Sequence, residues 1–591
     1  MGTGEPWKDN LFNKPFLGYF QWEWVILVIA ALLFIPFSGN VHLFDWDEIN
    51  FAECAREMLV TGDFSRVYIN FLPFWEKPPL FFWLQAMAME VFGVGEFAAR
   101  LPNGVCGMIT LLSVYRIGKK LYNSTFGLIW AGVFAGSVLP HLYFHSGIID
   151  PWFNLFIFLG IHFFILYGWE KQGYTITGFD RNRVLYMFLS GTFIGLALIT
   201  KGPAGLLIFL AVIGLRLIFS RFPYLIKVRE AGIFLSGLVL FSSLWYGYEY
   251  LKNGSWFLKE FILYNFRLFS TPDAGHGGFP GYHFVVLFFG CFPGSLFFIH
   301  GHYKSGKDRH HQSDYKIYML ILFWVVLILF SVVRSKIVHY SSLCYFPLTY
   351  VASLSVYSIF HGDWKMPSWI PACIFFILLI LGAAVFSFPW LTENTELLKP
   401  LFSADPFALA NLEARVRWDG WEKYVGLWLW VLCAICVFAF AKKYFALGFQ
   451  VLFGGMALSV VLILWALIGR IEAFSQGAAI DFFKSIQKEN AYLVTHNYRS
   501  YAQYFYSRVG PENKPALFSG RDLSEKLNNW KDSLLLSSRI RKDVYLVSKI
   551  NQTQGLERYP ELKKIGSKNG WVFFVRRINA PKTLEKIEIS N

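Results

Sequence analysis

Seven carboxylates crowd into residues 45–79, DWDEINFAECAREMLVTGDFSRVYINFLPFWEKPP: Asp45, Asp47, Glu48, Glu53, Glu57, Asp63 and Glu76. The chain around them is 55% hydrophobic. Holding charge beside a bilayer is costly, so ionisable groups there point to function. A carboxylate can orient or deprotonate a hydroxyl, and a nearby cation can stabilise a departing anion. Asp47-Glu48 opens an amphipathic stretch, with Ile49, Ala52, Ala55 and Leu59 at near-helical spacing and Gly62 as its stop. Neighbours on a helix point about 100° apart, so only one of the pair addresses a given substrate atom. The plainer alternative is that Asp45 or Asp47 caps this helix, which is worth roughly 1 kcal/mol. Glu76 and Lys77 set an acid and a base directly before Pro78-Pro79, a pair able to open the next helix.

Further polar residues interrupt the apolar chain. Asp150-Pro151 follows His141-x3-His145, whose histidines share a helix face. That pair could supply two ligands to a divalent metal or simply pack at the interface. No third ligand is identifiable and no cofactor is certain, so a divalent metal is an open option. Lys201-Gly202-Pro203 breaks one apolar run from the next. Lys201 either ends a helix by reaching for the headgroups or contacts a lipid phosphate. The segment 334–347, RSKIVHYSSLCYFP, offers Arg334 and Lys336 for phosphate, or as headgroup anchors, and then His339 and Tyr340. Cys433-Ala-Ile-Cys436 lies in an apolar run and is read as packing.

The elements that must position these residues are membrane helices. Mean hydropathy is +0.42, and the chain carries 63 phenylalanines and 22 tryptophans, a composition that excludes an ordinary soluble domain. Apolar runs fall near 22–38, 98–117, 124–141, 150–168, 185–199, 203–219, 232–249, 283–300, 316–333, 341–359, 367–386, 424–440 and 446–468, about thirteen spans. The first lacks the pattern of a cleavable signal and is expected to remain as an anchor. Basic residues gather in loops 116–123, 169–184, 220–230 and 301–316 and at Lys442-Lys443, so the net charge of +14 calls for no nucleic-acid partner. With the N-terminus and these loops on the cytoplasmic side, residues 78–93 must lie along or dip into the outer surface without crossing.

The ordered set DE-x3-AE-x-AREML-x2-GDF, EKPPL-x2-WL, FG-x2-EFAARLPN and GLALITKGPAGLL resembles the lipid-linked glycosyltransferases that include bacterial aminoarabinose transferase and the protein O-mannosyltransferases. The resemblance implies a class C, inverting glycosyltransferase. It would take a polyprenyl (undecaprenyl) phosphate-sugar donor and a glycolipid, glycan or protein acceptor, with its site on the periplasmic side of the inner membrane. Asp47, Glu48 and Asp150 become the catalytic candidates, with Asp47 in the place of the family's catalytic acid. Glu76, Lys77, Lys201, Asn265, Arg267, Lys336, His339 and Tyr340 become candidates for binding the substrate or lipid phosphate. Asn50 and Phe51 stand where relatives carry Arg and Tyr, so they are read as specificity positions. Tyr264 occupies the place of an expected histidine, which weakens any inherited metal site.

The expected architecture is a polytopic α-helical membrane protein with juxtamembrane helices and a small C-terminal α/β domain. Residues 1–470 form the transferase domain, whose outer-face loop 39–97 carries the motifs. Residues 471–580 form the outer domain and 581–591 a tail. In 471–580, AYLVTH, DVYLVS and WVFFVRR read as strands and YRSYAQYFYSR as a helix. A multi-span transporter or lipid flippase is the rival reading, which should show charges near mid-bilayer and inverted repeats.

Overall fold

A backbone in hydrocarbon must satisfy its hydrogen bonds within its own segment, and all thirteen apolar runs fall on helices or bent helix pairs. The computed structural model describes residues 22–174, 182–221, 224–270, 277–304, 309–487, 489–513 and 542–578, except for the side chains of residues 264, 265 and 267–270. Among the described residues, nine helices are long and apolar enough to cross a membrane, or up to eleven if each of two bent pairs counts as one span. The chain is a multi-pass membrane protein. The remaining two runs form the shorter apolar helices Trp22–Phe34 and Ala204–Phe219.

Two bends were not foreseen in the hydropathy. Ser124–Ala135 and Val138–His145 diverge by 80°, and Tyr282–Gly290 and Gly294–His302 by 114°. Each break carries a helix-disrupting pair, Gly136-Ser137 in the first and Phe292-Pro293 in the second. Residues 78–93 give helix Leu80–Phe92. At 1.5 Å per residue it is only about 20 Å long, short of a hydrocarbon core of about 30 Å.

Small residues let helices approach closely where lipid offers no hydrophobic drive. Arg183–Lys201 and Val228–Asn253 meet through Gly191, Gly195 and Gly237. A Cβ at Gly191 would lie 2.0 Å from the Phe234 carbonyl oxygen, and one at Gly237 2.4 Å from that of Phe188.

The C-terminal unit is a four-stranded sheet in the order Tyr492–His496, Val544–Lys549, Trp571–Arg576, Lys563–Lys568. The first pair is parallel and the other two antiparallel. Its helices Gly477–Ser485 and Ala502–Ser507 share one buried apolar cluster with the juxtamembrane helices Asp47–Thr61 and Leu80–Phe92. The C-terminal unit therefore seats directly on the acid-rich stretch. Ring contacts of Phe407 with Trp571 (5.1 Å) also join it to the segment between Trp369–Glu393 and Lys423–Ala441.

Candidate active site

Helix Asp47–Thr61 begins with Trp46 at its N-cap and no side-chain cap, and ends at Gly62, whose φ of 69° is the left-handed value glycine adopts freely. Neither Asp45 nor Asp47 is thus spent on capping. Asp47 instead lines a cavity of about 620 Å³ built from Arg100 and six stretches, near residues 36–51, 74–77, 142–154, 201–208, 329–343 and 461–468. Asp47, Glu48, Asn50, Phe51, Glu76, Lys77, Asp150, Lys201, His339 and Tyr340 all reach its wall. Residues almost three hundred positions apart in sequence thus meet at one site.

The polar groups form a chain. His339 Nε2 lies 3.4 Å from Asp47 Oδ2 and 3.9 Å from Asp150 Oδ2. Asp150 Oδ1 accepts from Lys201 Nζ at 2.6 Å, and Lys201 Nζ sits 5.4 Å from the Tyr340 ring centroid. Lys201 is therefore an ion-paired cavity residue and not a headgroup anchor. Gly202, at φ 102°, turns the chain against the Phe261 ring, where a Cβ would lie 2.3 Å away. Asp47 keeps 28% of its side chain accessible against 5% for Asp150. Asp47 can meet a substrate; Asp150 mainly holds Lys201 and His339. Burial pulls the Lys77 ammonium below its usual value, against the opposing attraction of Glu76 and Asp47.

Glu48, expected among the catalytic groups, is committed elsewhere. Its oxygens accept from Arg100 Nε (2.9 Å) and Nη2 (2.8 Å), from the Phe44 backbone N–H (2.9 Å) and from that of Gly147. Arg100 also donates to the carbonyls of Ser38, Val41 and His42. Three residues later, Asn103 Nδ2 donates to the carbonyls of Ser146 and Ile148 at 2.6 and 2.7 Å. Arg100 and Asn103 thus tie the loop carrying Asp47 and the loop carrying Asp150 to one helix, Glu96–Leu121. Their roles were missed; the signal was the EFAARLPN string itself, polar residues inside an apolar run.

Other expectations find different places. Lys336 lies outside the cavity and donates to the carbonyls of Phe330 (2.9 Å), Ser331 (2.6 Å) and Val333 (2.6 Å), closing the C-terminus of His310–Val332. Its proposed phosphate role is corrected to a helix cap, which the C-terminal dipole favours. Asn265 and Arg267 belong to helix Trp256–Ser270, but their side chains lie outside the described residues. Asn50 is 2% exposed; in the amide orientation that satisfies both groups it donates to the Trp46 carbonyl (3.1 Å) and accepts from Trp46 Nε1 (2.9 Å). Phe51 packs on Phe82 (5.5 Å) and Phe81 (6.1 Å). His141 and His145 stack at 10°, with Nε2 atoms 3.3 Å apart and His141 Nδ1 donating to the Ala135 carbonyl. Among the described residues no group of three or more His, Cys, Asp or Glu side chains is placed to hold a metal.

Away from the polar chain the cavity is apolar, walled by Ile208, Leu329, Val333, Leu343, Val461 and Leu464. A charged end joined to an apolar slot suits an amphiphile with an anionic head.

Residues 76–246 match the family described as dolichyl-phosphate-mannose-protein mannosyltransferase. The chain is 27% identical over 329 residues to the undecaprenyl phosphate-alpha-4-amino-4-deoxy-L-arabinose arabinosyl transferase of Pectobacterium carotovorum subsp. carotovorum, covering 55% of this chain and 57% of that protein. It is 26% identical over 339 residues to a Proteus mirabilis protein of the same description, covering 56% and 58%. The match thus spans little more than half the length of these curated relatives. Over nearly the whole chain (95%, and 98% of the other), the fold is similar to the crystal structure of ArnT from Cupriavidus metallidurans bound to undecaprenyl phosphate, at 16% identity and a TM-score of 0.71. The apo structure gives 0.72 at 15% identity, covering 94% and 98%. These likenesses bear out the resemblance on which the motifs were read.

Proposed function

We propose that this chain, which carries the fold of the aminoarabinose-transferase-like class C glycosyltransferases, moves a sugar from an undecaprenyl-type polyprenyl phosphate to an envelope acceptor. The observation that carries the reading is the single cavity in which an accessible carboxylate, two lysines and an apolar wall adjoin. In this reading the lipid phosphate sits toward Lys77 and Lys201 and its prenyl tail follows the apolar wall. The donor's bond from anomeric carbon to phosphate oxygen breaks as the acceptor oxygen attacks from the opposite face. The phosphate leaves as an anion, so cations stabilise it and no general acid is needed. Asp47 orients the acceptor or takes its proton, and His339 holds Asp47 in place. One displacement inverts the anomeric configuration. The acceptor, whether a lipid A-type glycolipid, another glycan or a protein, belongs to this proposal too.

The inner membrane is the proposed location, with the site and the C-terminal unit on the periplasmic side. The rival transporter reading expects charges near mid-span. Here Asp150 opens its helix, Lys201 closes its helix and His339 lies in the turn that precedes Tyr345–His361.

The purified protein in nanodiscs, given undecaprenyl phosphate-linked sugars and candidate acceptors, tests the reading. Transfer with release of undecaprenyl phosphate is expected, and Lys201→Met should weaken donor binding at least about tenfold. Substrate translocation without transfer would favour the transporter.

A further inference from the structure

The DWDE stretch holds two cavity residues that the chemistry above leaves unused, Asp45 and Trp46. Both sit at the seam with the C-terminal unit. Trp46 packs on Tyr501 with ring centroids 5.2 Å apart. Asp45 lies beside the Ser500 side chain and feels the Lys549 ammonium. Yet Asp45 remains exposed and Trp46 half-buried, and both face the cavity.

We propose that Asp45 and Trp46 form the subsite for the donor's glycosyl ring, and that the C-terminal unit holds this subsite in position. The inference rests on the transferase reading above and adds the residues that choose the sugar. A glycosyl ring presents an apolar C–H face and an edge of hydroxyls. It is met by a flat aromatic surface with a hydrogen-bond acceptor beside it. Consecutive residues supply both. The indole is fixed on two sides, its Nε1 held by the Asn50 amide at 2.9 Å and its ring by Tyr501, so it presents one preset surface. A phosphate is a poor occupant here, because Asp45 and Asp47 stand on the same stretch as Trp46 and would repel it. The cations that suit phosphate, Lys77 and Lys201, come from other segments of the wall. Asp45 stands two residues before Asp47, which orients the acceptor oxygen that attacks the donor's anomeric carbon, so the donor's ring lies next to this pair.

A site built to pair with hydroxyls discriminates strongly against a sugar that cannot satisfy it. Asn50 then influences sugar choice by clamping Trp46, without touching the sugar.

The test is equilibrium binding to the full-length protein in nanodiscs. The ligands are bare undecaprenyl phosphate and the same lipid carrying 4-amino-4-deoxy-L-arabinose, mannose, glucose or galactose. The wild-type protein is expected to bind at least one sugar-bearing lipid about tenfold or more tightly than the bare lipid. Asp45→Asn and Trp46→Leu should each remove most of that gain while leaving bare-lipid affinity within about twofold, and Trp46→Phe should retain most of it. A merely structural role for the pair would lower bare-lipid binding and thermal stability together. Survival of the full gain in both Asp45→Asn and Trp46→Leu overturns the subsite, as does a wild-type protein that binds the bare lipid but none of the sugars more tightly. Failure to bind even bare undecaprenyl phosphate would instead refute the transferase reading.

Discussion

Asp47 and Asp150 share His339 but differ in what they can reach, and that difference assigns their roles. Asp47→Asn keeps size and some hydrogen bonding but cannot accept a proton, so kcat for transfer should fall roughly 10²–10⁴-fold with donor binding retained. A near-normal rate in Asp47→Asn, with a large defect in Asp150→Asn, would move the catalytic role to Asp150. Asp45 yields a second expectation. The protein enclosing the cavity withholds bulk water from the accessible, cavity-facing carboxyl of Asp45 and pushes it from 3.8 up to about 6, only partly offset by Ser500 and Lys549. Between these values the folded protein holds a proton that the unfolded chain has released, so this group's contribution to stability declines as pH rises through the window. Thermal unfolding of wild type and Asp45→Asn from about pH 4 to 7 should therefore differ in slope, the variant losing less stability on the way up. Equal slopes would show that Asp45 does not titrate there. At this scale the sequence was informative about residue type and poor about partnership. Asp47 stood out because its string was specific. Its neighbour Glu48 looked equivalent, because what removes Glu48 from the chemistry is Arg100, 52 residues away. Lys336 misled in the same way, since a lysine that ends a helix and one that binds phosphate have the same local context.

Elements, more than single side chains, set the site's precision. Glu96–Leu121 carries Arg100 and Asn103, which reach the loops before Asp47 and Asp150. The hairpin of Tyr68–Ile69 and Leu72–Pro73 leads to Glu76-Lys77, and its turn is clamped by the Phe71 backbone N–H donating to Glu57 Oε2 at 2.8 Å. Removing one partner of a buried ion pair leaves the other uncompensated and costs about 3–5 kcal/mol. Arg100→Met should thus destabilise the protein on that scale and abolish transfer, because Glu48 loses its partner and both loops lose an anchor. Glu48→Gln, which keeps acceptor capacity, should cost less and leave measurable transfer. If Glu48→Gln proved as inactive as Asp47→Asn at unchanged stability, Glu48 would return to the catalytic group. Helices were legible because apolar runs of the right length can do little else in a bilayer. Strands Tyr492–His496, Val544–Lys549 and Trp571–Arg576 were legible from their apolar, β-branched and aromatic content. Lys563–Lys568, KKIGSK, was not, since this exposed strand exists only by pairing with Trp571–Arg576.

At the scale of the whole molecule, the helices sort their polar ends into two groups, and this permits a test of orientation. Asp150, Lys201 and His339 meet at the cavity beside the C-terminal unit. The far ends of several of the same helices meet one another instead. Lys171 pairs with Glu230, Arg216 pairs with Asp314, and Trp169 Nε1 donates to Asp314 at 2.7 Å. Basic residues flank this second group, so by the positive-inside rule we expect it on the cytoplasmic side. The cavity, the segment between Trp369–Glu393 and Lys423–Ala441, and the C-terminal sheet should then share the outer compartment. We expect single cysteines at Glu396 and Lys568, whose side chains are 79% and 58% accessible, to react with a membrane-impermeant maleimide added to spheroplasts. Cysteines at Lys304 and Lys442, both exposed, should react only after the membrane is opened. The native thiols offer little background, since all but the partly accessible Cys373 are buried. Outer labelling at both Lys304 and Lys442 would invert the map and move the site to the cytoplasmic face. Opposite-side labelling of Glu396 and Lys568 would be graver, because Phe407 and Trp571 touch and no bilayer can separate segments in contact.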